Sequence, residues 1–153
     1  MEENSLRDLN NEYAGLIKEY LDKVKNRVTG VLLFGSVSRH EELPFPQSDI
    51  DMIVVAKDIP SDFFERAEYV RKIENSPSLL QSIWMTEEEF IAQFKAGAGY
   101  LLDAIHEGRI IYDTGFLKKT IPKSKQELEA RGIRRVGSSW VWPPIKTTAK
   151  AKS

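Results

Sequence analysis

Cysteine is absent from all 153 residues, which excludes disulfides, thiolate metal sites and cysteine nucleophiles. Histidine is nearly absent: His40 and His106 are the only two. They share no metal-ligand spacing, so both are read as surface or helix-end residues. No apolar run approaches the ~20 residues that a membrane-spanning helix requires. The opening stretch MEENSLRDLNNEY is acidic and polar, so no signal peptide and no membrane partner are expected. These absences fit a cytoplasmic protein. Internal repeats are lacking too, which sets solenoids aside.

What remains is ordinary for one globular domain with a proper core: 41% hydrophobic and 29% charged residues. The net charge of −1 hides an asymmetry. Residues 118–153 hold ten Lys/Arg against Glu127 and Glu129, a surplus of eight positive charges, which leaves residues 1–117 at −9. A basic tail on an acidic body can bind nucleic acid or fold back on its own body. Folding back, or plain solvation, is favoured, because no aromatic-basic repeat accompanies the charge. Trp140 and Trp142, near Arg134 and Arg135, could stack on bases. Packing of the tail is again the favoured reading.

Helical spacing of Leu6, Leu9, Tyr13, Leu16, Ile17, Tyr20, Leu21 and Val24 predicts a first helix capped by Asn4 or Ser5. Apolar runs predict strands over 31–34, 50–55, 80–85 and 110–112. Further helices are expected over about 62–74 behind a Ser61 cap, from Thr86-Glu87 through Phe94, over 100–106, and over 116–130. Pro122 argues for a kink in the last helix or for a start beyond it. After Gly132 the pattern fails, and residues 146–153 (KTTAKAKS) read as disordered.

The most telling stretch is residues 31–55, VLLFGSVSRHEELPFPQSDIDMIVV. A hydrophobic run stops at Gly35-Ser36, and Asp49-Ile50-Asp51 opens the next. Strand side chains alternate, so Asp49 and Asp51 share a face. Two adjacent carboxylates repel unless a cation lies between them. A Gly-Ser turn offers amides and a hydroxyl to phosphate oxygens. Together they point to a metal-bound nucleoside triphosphate. The plain alternative, a tight turn and a solvated Asp49, leaves Asp51 in an apolar strand without a reason.

The order helix, strand, Phe34-Gly35-Ser36-Val37-Ser38-Arg39, then Ser48-Asp49-Ile50-Asp51 on a second strand, resembles the nucleotidyltransferase superfamily that includes DNA polymerase β. It is closest to the small stand-alone minimal nucleotidyltransferases, over roughly residues 5–112. The resemblance implies an α/β (α+β) fold, a small mixed sheet flanked by helices. The expected division is a nucleotidyltransferase domain over residues 1–131 and a basic, partly disordered C-terminal tail, 132–153. Gly35, Ser36 and Arg39 would hold the nucleotide's phosphates. Asp49 and Asp51 would be catalytic and would hold Mg²⁺ (or Mn²⁺). The implied reaction moves a nucleoside monophosphate, AMP if ATP is the triphosphate, to an acceptor hydroxyl on a protein, RNA or small molecule. Some relatives act as antitoxins to an all-helical HEPN-type toxin, and such a partner is implied here. Sugar-nucleotide glycosyltransferases also use Asp-x-Asp, but those chains are larger and lack the strand and Gly-Ser turn before it.

Three departures from the family pattern stand out. A third carboxylate is expected on the third strand, where this chain has Gln81, which is neutral and no base. Glu87 or Asp103 could stand in for it. Alternatively the chain is a catalytically impaired nucleotide- or partner-binding module, or an RNA-binding accessory protein that uses its tail. Twelve residues separate Ser36 from Asp49, and the loop's Pro44-Phe45-Pro46 makes it stiff. His40 stands where glycine is common. Gly137-Ser138 repeats the dipeptide with no Asp-x-Asp downstream and is not a second site.

Overall fold

A helix begins where a side chain can satisfy its free amides. Asn10 Oδ1 accepts from the amides of Glu12 and Tyr13, so helix α1 spans Asn11–Val24. The expected earlier start is corrected: Leu6 and Leu9 are buried through a turn closed by the Leu9 amide on the Leu6 carbonyl. The computed structural model describes residues 6–144, so Asn4, Ser5 and the segment 146–153 lie outside the described residues.

Four strands follow the apolar runs: β1 Gly30–Phe34, β2 Ile50–Val55, β3 Leu80–Met85 and β4 Arg109–Asp113. They form one mixed sheet in the order β3-β2-β1-β4. β1 lies antiparallel to β2 and to β4, whereas β2 and β3 are parallel. A parallel pair needs a crossover, supplied here by α2 (Phe63–Glu74), which Asp62 caps rather than Ser61. Thr86 and Glu89 form the capping box of α3 (Glu87–Lys95) as their spacing predicts.

Alternation sorts the strand side chains between two cores. Val31, Leu33, Ile50, Met52 and Val54 pack against Tyr13, Ile17, Tyr20 and Val24 of α1. Leu32, Ile53, Val55 and Met85 pack against α3, against α4 (Gly99–Glu107) and against α5 (Phe116–Ala130). Both faces of β1 and β2 are therefore covered, which is why these strands read as continuous apolar runs. Truncating Met52 or Ile53, both fully buried, to Ala would cost about 2–5 kcal/mol. On the α1 side one Glu74 oxygen accepts from Tyr20, Ser82 and Trp84. Burial, then the Glu74 charge, pushes the Tyr20 phenol far above its ordinary range.

Pro122 does not delay α5. Asp113 accepts from the amides of Gly115, Leu117 and Lys118, which fixes the helix start ahead of the proline. Beyond Gly132 the chain forms a hairpin, β5 (Arg134–Val136) and β6 (Ser139–Val141). Gly137 opens its two-residue turn at φ 64°, a conformation that suits glycine. The hairpin returns to α4: Trp140 Nε1 donates to Asp103 at 2.8 Å, and its ring meets His106 edge-on at 5.6 Å. Among the described residues no helix is long and apolar enough to cross a membrane.

Candidate active site

β1 delivers the chain to Gly35 beside the start of β2. Phe34 pairs with Asp51 across the antiparallel ladder, and Asp51 pairs with Gln81 across the parallel one. Gly35 has φ 84°, and a Cβ there would collide with the Asp51 carboxylate. Only glycine allows both that backbone and that approach.

After Gly35 the chain makes one helical turn. The Arg39 amide donates to Gly35 O at 3.1 Å, and the Glu41 amide to Ser36 O at 2.9 Å. The amides of Ser36, Val37 and Ser38 donate to no backbone carbonyl among the described residues. Ser38 Oγ is buried and has no hydrogen-bond partner among the described residues. Successive free amides beside an unpartnered hydroxyl form a concavity suited to an anion.

The Asp51 carboxylate lies against this turn at Gly35, Asp49 is near enough to act on it, and neither has a hydrogen-bond or ion-pair partner among the described residues. Asp51 is half-buried and Asp49 exposed. Burial pushes the Asp51 carboxyl above the usual carboxylate range and the charge of Asp49 pushes it further, with Arg39 only partly offsetting them. Such a pair gains from a cation. The two carboxylates and an anion in the turn could share one divalent ion, so the residues present fit a metal–triphosphate complex.

Arg39 is held rather than free. Its Nε donates to Glu41 at 2.9 Å and its Nη1 to Glu107 at 2.6 Å, while Nη2 makes no bond among the described residues. His40 has φ 62° and meets Asp8 at 3.1 Å. The glycine expected there by resemblance is thus explained by backbone conformation. The loop to Asp49 is pinned from α1: Tyr13 OH donates to Leu43 O at 2.8 Å and accepts from the Ser48 amide at 3.0 Å.

Gln81 stands opposite Asp51 but is exposed, and its amide nitrogen donates to Ser78 O. Its carbonyl oxygen is the one atom it could offer a metal. Neither stand-in carboxylate reaches the site. Asp103 is taken by Trp140 and Arg135, and Glu87 lies past the far end of β3. No group of three or more His, Asp or Glu able to hold a metal occurs among the described residues. From the sequence alone, Ser38, Tyr13, Glu107 and Arg135 had no role of their own in this site. The one local signal was Glu107, an acid in the last turn of a helix, where the dipole disfavours it.

A family model described as "nucleotidyltransferase domain" matches residues 15–112. No curated protein matches the chain. Among solved structures, a candidate nucleotidyltransferase from Sulfolobus solfataricus is 28% identical over 59% of this chain and 77% of its own, with a TM-score of 0.42. A toxin–antitoxin structure with AMP-PNP is 20% identical over 77% and 91%, with a TM-score of 0.41. A Shewanella oneidensis complex of a tri-AMPylated HEPN toxin with its MNT antitoxin is 20% identical over 86% and 93%, with a TM-score of 0.36. These likenesses are too distant to transfer a substrate or a partner.

Proposed function

The chain belongs to the nucleotidyltransferase domain family, and from that premise we propose that it transfers a nucleoside monophosphate from a metal-bound triphosphate to an acceptor hydroxyl. The carrying observation is the unpartnered Asp49/Asp51 pair against the free amides of Ser36, Val37 and Ser38. Asp49 and Asp51 hold the divalent ion, Mg²⁺ or Mn²⁺. When bound, that ion neutralises charge on the phosphates and orients them for in-line attack. Ser36 and the amides after Gly35 bind the β- and γ-phosphates, and Arg39 adds a fixed positive charge. The acceptor hydroxyl releases its proton to solvent as its oxygen bonds to the α-phosphorus. The bond to the bridging oxygen of the β-phosphate breaks and pyrophosphate leaves, while the protein's part is chiefly positioning. ATP is the triphosphate we propose, and an all-helical HEPN-type protein the acceptor.

Gln81 favours a second reading, a module that binds nucleotide but transfers slowly. A neutral amide opposite Asp51 supplies neither a base nor the charge for a second ion. One experiment separates the two. ATP is titrated into the protein with Mg²⁺ and with EDTA, beside the Asp49→Asn/Asp51→Asn variant, and label transfer from α-labelled ATP is followed with a HEPN-type protein as acceptor. Binding that needs both the ion and the aspartates, with transfer, is expected of the enzyme. The same binding without transfer supports the module, and binding indifferent to both places the site elsewhere.

A further inference from the structure

Glu107 closes α4 with a carboxylate at the negative end of the helix dipole, where it is disfavoured. It is also largely buried, with a side-chain exposure of 12%. Burial pushes its carboxyl up, but hydrogen bonds from Arg135 and Arg39 outweigh that and hold it below the usual carboxylate range. Oε2 takes Arg39 Nη1 at 2.6 Å, and Oε1 takes Arg135 Nη1 at 2.7 Å. Arg135 belongs to the C-terminal hairpin, and its side chain is 17% exposed. It also lies 3.6 Å from Asp103, the acceptor of Trp140 Nε1. A continuous chain of charge-assisted bonds thus runs from the hairpin through α4 to the arginine beside Asp51.

We propose that Glu107 and Arg135 are positioning residues for Arg39, so that the hairpin over residues 134–141 is a working part of the nucleotide site. The proposal rests on the reading of Arg39 as a phosphate ligand. A guanidinium on a one-turn loop has several rotamers, and the largely buried Glu107 carboxylate, with Glu41 on the loop itself, selects one of them. Glu41 holds Nε and Glu107 holds Nη1, which leaves the Nη2 edge to meet an anion. Without Arg135, Glu107 keeps one cation instead of two and loses its tie to the hairpin. Arg39 then gains freedom that nucleotide binding must remove.

The test is a double-mutant cycle on Mg²⁺–ATP affinity in the full chain, with Arg39→Ala, Arg135→Ala and both together. Arg135→Ala is expected to weaken binding about fivefold, and to add almost nothing once Arg39 is gone, because coupled residues are non-additive. Arg135→Lys should recover part of the loss. Additive losses, or an affinity that Arg135→Ala leaves unchanged, overturn the proposal while the nucleotide site stands. If the wild-type chain shows no metal-dependent ATP binding, the site reading fails and this proposal with it. Should Arg135→Ala fail to fold, Glu107→Gln enters the same cycle, since it keeps the side chain's shape while removing its charge and one of the two acceptor oxygens that hold the arginines. Equal weakening by Glu107→Gln with and without Arg39 would likewise overturn the proposal.

Discussion

Replacing Tyr13 by Phe removes one oxygen from a fully buried side chain and leaves the ring packing intact, including the edge-on contact with Phe45 at 5.1 Å. Two hydrogen bonds disappear, to Leu43 O and from the Ser48 amide. At a net contribution of about 1 kcal/mol each, the loss is about 2 kcal/mol. Leu43 is 56% exposed, so water can take up part of its carbonyl's need, which makes that figure an upper value. In a domain of this size, about 2 kcal/mol lowers Tm by about 4–8 °C. The functional effect should exceed the thermal one. The freed loop carries Ser48, and Asp49 follows it, so one carboxylate of the site loses its anchor. Thermal unfolding by circular dichroism, beside calorimetric titration of Mg²⁺–ATP, reads both quantities. A Tm within about 1 °C of wild type, with unchanged affinity, would refute the claim that the Tyr13 hydroxyl fixes this loop.

Asp51→Asn should abolish metal-dependent binding yet raise stability at neutral pH. The folded carboxyl sits above its unfolded value, so wild type loses stability as pH rises through the carboxylate range, and Asn removes that slope. Urea midpoints at pH 4 and pH 7 test the sign, and a larger gain at pH 4 would contradict it. His40→Gly should be neutral or stabilising by up to about 1 kcal/mol, because φ 62° strains a side-chain-bearing residue, whereas His40→Val should destabilise by about 1–2 kcal/mol in the same urea assay. Gln81→Asp should lower Tm without metal, since it faces Asp51 in register, and should enlarge the Mn²⁺-dependent rise in Tm. An unchanged metal response would show that this position does not reach the ion.

The parts of the fold and site that were legible are those built by near neighbours. Gly35 follows β1 beside Asp51 on β2, and Thr86 with Glu89 signals a helix start, each within a few residues. Asn10 was obscured because Leu6 and Leu9 continue the apolar period through a turn rather than a helix. The last helix keeps its expected bounds, and the later start that Pro122 allowed does not occur because Asp113, bonding ahead of it, decides where α5 begins. The hairpin escaped notice because three-residue strands carry too little alternation to read. Ser38 gave no warning, since a serine in a turn is common and its burial depends on the whole packed domain.

The two halves of the candidate site differ in how far along the chain their parts must travel. The carboxylates and the turn come from adjoining antiparallel strands within residues 30–55, a local pairing that forms readily. Arg39 reaches its acceptor across 68 positions, and that acceptor meets Arg135 only 28 positions later. In synthesis from the N-terminus, the carboxylates and the turn can therefore be in place before the residues that hold Arg39 from α4 and the hairpin have been made. Glu41 and Glu107 precede the hairpin. A nascent chain stalled before residue 135 would therefore lack only the second cation on Glu107, and under the positioning role proposed above it would bind a triphosphate more weakly rather than not at all.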